Sequence, residues 1–199
     1  LGENDVLSVG QALTDLASAT IDAALALARE AAANEVPRIA VIAMGRWGGR
    51  EMSYASDADA MFVMEDAANA DDPTKVATTV INEMRTLLTR PGADPPLSID
   101  ADLRPEGKGG ALIRSLTAYR KYYGRWSSTW ELQALVRADA LAGDEELGKA
   151  LMGEIDGRRW PDGGLTASQL TEIRKLKARV EAERLPRGAD PATTARPRR

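Results

Sequence analysis

Apolar side chains recur along this chain at two spacings, one helical and one extended. Over residues 4–33 the chain is rich in alanine. There Val6, Val9, Leu13, Leu16, Thr20, Ala24 and Leu27 return at steps of three and four, which predicts a helix with one apolar face. Pro37 ends it, because proline disfavours helix at the residue before it. Residues 38–44 form a short apolar run with branched side chains, the pattern of a buried strand. Glycines at 45, 48 and 49 break that run, residues 58–64 predict a second strand, and the acidic residues 65–72 a surface loop. Pro73 suits the first turn of a helix, whose apolar face is Val76, Val80, Met84 and Leu87. After a turn rich in proline, residues 97–103 alternate strictly. Leu97, Ile99, Ala101 and Leu103 face one way, and Ser98, Asp100, Asp102 and Arg104 the other, as in a third strand.

Beyond Gly110 the pattern turns helical, with predicted helices over 116–123, 130–141 and 144–155. Trp160, Pro161, Gly163 and Gly164 mark a boundary, and residues 166–184 predict a last, strongly charged helix. Its polar face carries Glu172, Lys175, Arg179 and Glu183, with ion pairs expected at four-residue spacing. The proline-containing residues from 185 onward are expected to be a disordered tail. No internal repeat is present. These elements predict an α+β fold, a small mixed sheet flanked by helices and followed by a helical segment.

Composition narrows the chemistry. The 199 residues are 44% apolar, in the globular range. No run approaches the ~18 apolar residues of a membrane span, no stretch reads as a leader, and the cytoplasm is the expected compartment. The chain contains neither cysteine nor histidine, which removes disulfides, thiolate zinc, imidazole metal sites and a His general base. Catalysis would have to use carboxylates, hydroxyls, Lys, Arg and backbone, with an oxygen-bound hard cation as the natural metal. The first 164 residues hold 17 Lys or Arg against 26 Asp or Glu, whereas the remainder holds nine against four. An acidic body of this kind argues against nucleic acid as a partner. Tyr119, Tyr122, Tyr123, Trp126 and Trp130 are therefore expected to form a packing layer between sheet and helices, in preference to a base-stacking platform.

The carboxylates carry the sharpest signal. Asp57 and Asp59 stand two apart at the start of a strand, so both point to one side. Two converging anions repel, and a divalent cation such as Mg²⁺ removes the conflict. The bland alternative is a solvated turn. Against it, Gly48-Gly49 stands a short interval upstream and can bring backbone N–H groups to phosphate oxygens. Asp100 and Asp102 also add acid to a neighbouring strand. Three carboxylates on adjacent strands suit an in-line attack on phosphorus supported by two metals. The glycines match neither a P-loop nor the dinucleotide-binding pattern.

Residues 45–52 (Gly-Arg-Trp-Gly-Gly-Arg-Glu-Met) and 56–59 (Ser-Asp-Ala-Asp) resemble the signature of the glutamine synthetase adenylyltransferases, members of the polymerase-beta-like nucleotidyltransferase superfamily. Residues 99–110, with Asp100, Leu103, Arg104, Pro105 and Gly107, are similar to a second element of that family. Residues 129–138, Thr-Trp-Glu-Leu-Gln-Ala-Leu-Val-Arg-Ala, are similar to a third. The resemblance implies Mg²⁺-dependent transfer of AMP from ATP to a tyrosine of glutamine synthetase. It also implies an opposing unit that removes AMP by phosphorolysis, and a PII signal protein as a partner of regions absent here. Residues 179–188 look more like the end of the adenylylating unit. By motif, Asp57, Asp59 and Asp100 are the implied metal-binding and catalytic carboxylates. Gly48, Gly49 and Ser56 would line the phosphate side. Arg104 and Lys108 are candidates for phosphate charge, or else solvated surface cations. Asp102 stands where the family has arginine, either as a fourth acidic ligand or as a weakening of phosphate binding. The implied organisation is a nucleotidyltransferase domain over residues 1–157, then the start of a truncated helical domain and a basic tail over 158–199. A noncatalytic module that binds nucleotide or target is the alternative of a different class.

Overall fold

Five strands form one mixed sheet that separates two helical layers. The structure, a computed structural model of the chain, describes residues 5–32, 35–54, 56–66, 72–92 and 95–184. In chain order its elements are α1 (Val6–Glu30), β1 (Ile39–Ala43), α2 (Gly45–Gly48), β2 (Ala58–Met64), α3 (Pro73–Thr89), β3 (Ile99–Asp100), β4 (Ile113–Ser115), α4 (Leu116–Arg125), α5 (Thr129–Ala134), β5 (Asp139–Gly143), α6 (Glu145–Arg159) and α7 (Ala167–Arg184).

The central strands β1 and β2 are antiparallel, from Ile39 opposite Met64 to Ala43 opposite Ala60. β5 is antiparallel to β1 on its other side. The far edge of β2 runs parallel to β3 near its start and to β4 near its end. These two short strands act as one edge strand interrupted by residues 101–112. Side chains alternate across the sheet. Val41, Ala43, Ala60 and Phe62 pack toward α1 and α3, whereas Ala40, Ile42, Met61 and Val63 pack toward α4 and α6. Both faces of β1 and β2 are therefore covered, which is why each reads as a nearly unbroken apolar run. Asp59 shares the second face with Met61 and Val63 by alternation and is half-buried at the start of β2.

Several expectations are corrected by packing. The α1 stripe is rotated from the one that periodicity predicts. Its buried residues are Gly10, Thr14, Ala17, Ile21, Ala24, Leu25 and Ala28, while Leu16 is 65% and Leu27 57% exposed. A Cβ on Gly10 would lie 3.3 Å from the Arg50 carbonyl oxygen, so close approach selects the small face over the larger one. The predicted helix ends, Asn4 and Ala33, lie outside the described residues, and Asp5 caps α1 by accepting from the Ser8 N–H at 2.7 Å. The helix expected over 130–141 stops at Ala134, and after a short 3₁₀ turn the chain becomes β5. Nothing in Asp139-Ala-Leu-Ala favours a strand locally; the open edge of β1 decides it.

The strand expected over 97–103 is only Ile99–Asp100. The Asp100 carboxylate accepts the Asp102 N–H at 2.7 Å, and this bends the chain out of the sheet. Asp102 is thus in a turn, and the expected alternation with Asp100 does not continue. α6 extends through Arg159, so residue 157 lies within a helix. α7 packs against α5, and Lys177 pairs with Glu181 at four-residue spacing, 3.9 Å apart. The side chain of Glu183 and the tail from 185 lie outside the described residues. Tyr119 and Tyr123 form the expected packing layer, stacked at 5.9 Å. Tyr122 packs against it, but Trp126 and Trp130 do not join it: they are 65% and 37% exposed, Trp126 beneath the Arg125 guanidinium. No described helix is long and apolar enough to cross a membrane.

The rotated α1 face is tested by two substitutions. Ile21→Ala should cost about 2–5 kcal/mol and Leu16→Ala within about 0.5 kcal/mol in urea unfolding. The reverse ranking would place the buried stripe where periodicity puts it.

Candidate active site

Pairing of β2 with β3 sets Asp59 opposite Asp100, and Asp57 precedes β2 on the same side by alternation. Carboxylate oxygens of Asp57, Asp59 and Asp100 all lie within 4.8 Å of one another. Asp57 is exposed, and the other two are half-buried. Burial above all, then the charges of Asp57 and Asp100, push the Asp59 pKa up to about 6, while Arg46 pulls it the other way. Three oxygen donors in mutual repulsion, one of them reluctant to ionise, are a fitting donor set for a hard divalent cation.

The turn after β1 is built around Asp59. Gly45 adopts φ +53°, and a Cβ there would lie 2.1 Å from Asp59 Oδ2, so only glycine leaves room for the carboxylate. The Met44 N–H donates to the Asp59 carbonyl at 2.8 Å and carries the pairing to the site's edge. Trp47, fully buried, donates from Nε1 to Ser18 Oγ at 3.0 Å and fastens the turn to α1. Gly48 and Gly49 lie against Arg137, whose carbonyl oxygen would be 2.0 Å from a Cβ on Gly48. Their N–H groups donate to Met44 and Gly45 carbonyls at 2.9 and 3.2 Å. The pair therefore shapes the turn through close packing, and those two donors are already engaged. Further along, Ser56 Oγ lies 2.9 Å from Ser53 Oγ, which accepts from Arg46 Nη1 at 3.2 Å. Arg46, Ser53 and Ser56 thus form one polar group beside Asp57.

The other cations have structural employment. Arg104 donates to the carbonyls of Gly110, Ala101 and Lys108 at 3.0, 2.8 and 3.0 Å, and its side chain is only 12% exposed. Lys108 pairs with Asp102 at 3.2 Å on the surface. Asp102 is occupied by these two cations and stands outside the group of three carboxylates. Glu131 holds the same loop from the other side. Oε1 accepts from the Tyr122 hydroxyl at 2.6 Å and the Glu106 N–H at 3.0 Å, and Oε2 from Ser128 N–H and Oγ at 2.7 and 2.8 Å. Burial raises its pKa, but these hydrogen bonds outweigh that and hold it below the usual carboxylate range.

Gly45, Arg46 and Glu131 escaped the reading of the sequence as site residues. A signal existed for Gly45, directly after a buried strand. For Glu131 the signals were its place in the family-like block 129–138 and the local Ser128-x-x-Glu131 capping-box pattern; its bonds to Tyr122 and Glu106 only the fold reveals.

Because Asp59 holds its proton more tightly when folded than when unfolded, stability of the cation-free protein should fall as pH rises from about 4 to about 6. Asp59→Asn should accordingly raise the melting temperature at pH 8 by a few degrees and have little effect at pH 4. Equal shifts at both pH values would contradict this electrostatic account. Gly45→Ala should lower stability by about 1–3 kcal/mol, as read by denaturant unfolding.

A family model described as glutamate-ammonia ligase adenylyltransferase matches residues 1–153. Relatives called bifunctional glutamine synthetase adenylyltransferase/adenylyl-removing enzyme match almost the whole chain. The protein of Cutibacterium acnes is 55% identical over 192 residues, covering 96% of this chain and 19% of the relative. That of Streptomyces avermitilis is 54% identical over 187 residues, 92% of this chain and 19% of the relative. That of Mycobacterium tuberculosis is 48% identical over 199 residues, 97% of this chain and 20% of the relative. The chain thus spans about a fifth of the length of these relatives. Both the family match and identities near one half across the site and its supporting helices lead to one conclusion: this chain belongs to the glutamate-ammonia ligase adenylyltransferase family.

Proposed function

We propose that this chain is a catalytic unit that transfers AMP from ATP to a tyrosine hydroxyl of glutamine synthetase with Mg²⁺. The convergence of Asp57, Asp59 and Asp100 within 4.8 Å carries the reading, and the names of the relatives support the substrates. In the reaction the phenolic oxygen bonds to the α-phosphorus, the bond from that phosphorus to the bridging oxygen breaks, and pyrophosphate leaves. Asp100 accepts or orients the phenolic proton, which passes to solvent. Asp57, Asp59 and Asp100 would hold the Mg²⁺, which supplies neutralisation of phosphate charge. Arg46 adds positive charge on the side where Ser53 and Ser56 lie, and Gly48 and Gly49 shape the turn that presents it. Arg104 and Lys108 act there through the loop they brace. The compartment is the cytoplasm, and a PII signal protein would engage other parts of the full-length enzyme.

A second reading is favoured by the other half of the relatives' names, adenylyl-removing. In it, inorganic phosphate attacks the same phosphorus and ADP leaves the tyrosine. The same carboxylates would serve, since both reactions displace an oxygen from an α-phosphorus.

With radiolabelled ATP and Mg²⁺, the chain should label glutamine synthetase, and Asp57→Asn or Asp59→Asn should reduce the rate at least about 100-fold. Unchanged rates in these variants would remove the carboxylates from the reaction. Phosphate-dependent ADP release from modified synthetase, without labelling activity, would assign the unit to removal.

A further inference from the structure

Two cavities meet at Arg85 on α3. The larger, about 550 Å³, is lined by Asp57, Asp100, Asp102 and Arg104. The smaller, about 320 Å³, continues along α3 past Asn82, Thr86 and Thr89. Arg85, Ser98 and Ile99 belong to both. Two guanidinium groups therefore face this groove, in different states. That of Arg104 is occupied by three carbonyls and the Asp102 carboxylate. Arg85 is half-buried and makes one long hydrogen bond, from Nη2 to the Ile99 carbonyl at 3.4 Å. Among the described residues it has no carboxylate partner. A half-buried guanidinium without a counter-ion fits an anionic group that arrives with a ligand.

We propose that this groove receives an extended polypeptide segment carrying the acceptor tyrosine, and that Arg85 pairs with a carboxylate side chain next to that tyrosine. The inference rests on the AMP-transfer reading above and adds the site and chemistry of the acceptor. Direction comes first. The Asp59 side of the carboxylates is closed by the Gly45 turn, with Arg46, Ser53 and Ser56 close by. The groove opens instead on the side of Asp57 and Asp100. Attacking and leaving oxygens must lie roughly in line across the phosphorus, so pyrophosphate near Arg46 leaves the acceptor to enter from Arg85. The walls come second. Beyond Arg85 they are neutral, and Thr86 and Thr89 donate their hydroxyl protons back to Asn82 and Arg85 carbonyls at 2.9 Å. Their oxygens remain acceptors for the N–H groups of an extended chain. Such walls suit a peptide better than a second phosphate group.

The test compares the wild-type chain with Arg85→Gln and Arg85→Ala. Binding of unmodified glutamine synthetase is read by surface plasmon resonance, and binding of a nonhydrolysable ATP analogue with Mg²⁺ by calorimetry. Affinity for the synthetase should fall about tenfold, while melting temperature and nucleotide affinity stay unchanged. Neutralising the acidic side chains beside the acceptor tyrosine should cause the same loss, and combining it with Arg85→Ala should add nothing. Equal synthetase affinity in all three chains, or no measurable binding by the wild type, overturns the proposal. So does a loss confined to nucleotide affinity, which would make Arg85 a phosphate contact. Absence of Mg²⁺-dependent nucleotide binding by the wild type would count against the AMP-transfer reading instead, and the synthetase comparison is read independently of it.

Discussion

Mutual repulsion among three carboxylates is the constraint around which this fold is arranged. Asp59 and Asp100 are held side by side by strand pairing, and Asp57 joins them by alternation along β2. The register of a sheet whose central strands are buried on both faces sets the backbone positions of Asp59 and Asp100. Burial first, and the nearby charges of Asp57 and Asp100 second, raise the Asp59 pKa to about 6. Rigid packing keeps the anions together where free side chains would separate. Gly45 belongs to the same arrangement, since its missing Cβ leaves the space that the Asp59 carboxylate takes.

Around this acidic centre, the cations divide into those engaged by several partners and those with few. Arg104 gathers three carbonyls and makes a compact loop of residues 101–110. Asp102 is drawn off by Lys108 and Arg104, which settles its geometry: it does not join the other three. Glu131 performs the matching service from α5, where a buried carboxylate is satisfied by four donors and ties the loop to the helical layer. A buried charge with every lone pair engaged fixes geometry, whereas one left unpaired would be costly. Arg46 and Arg85 have fewer commitments, one hydrogen bond to Ser53 and one to the Ile99 carbonyl; in the proposed reading the first stands on the nucleotide side and the second on the acceptor side.

The sequence alone determined the features that depend on local pattern. β1 and β2 are short apolar runs bounded by breakers, and β2 was legible to its end residues. α3 announced itself by Pro73 at its first turn. The spacing of Asp57 and Asp59 implied a common direction once a strand was assumed, and the three motif blocks identified the family. Other features depended on what lies across space, and these only the tertiary structure decided. β5 exists because β1 offers an unpaired edge, in a segment whose own residues favour helix. β3 is cut to two residues because Asp100 caps the turn that follows it. α1 buries its small face because the Arg50–Met52 backbone comes close to Gly10, and van der Waals fit there outweighs the larger apolar stripe. Periodicity records which side chains could be buried; contact between distant segments selects which of them are.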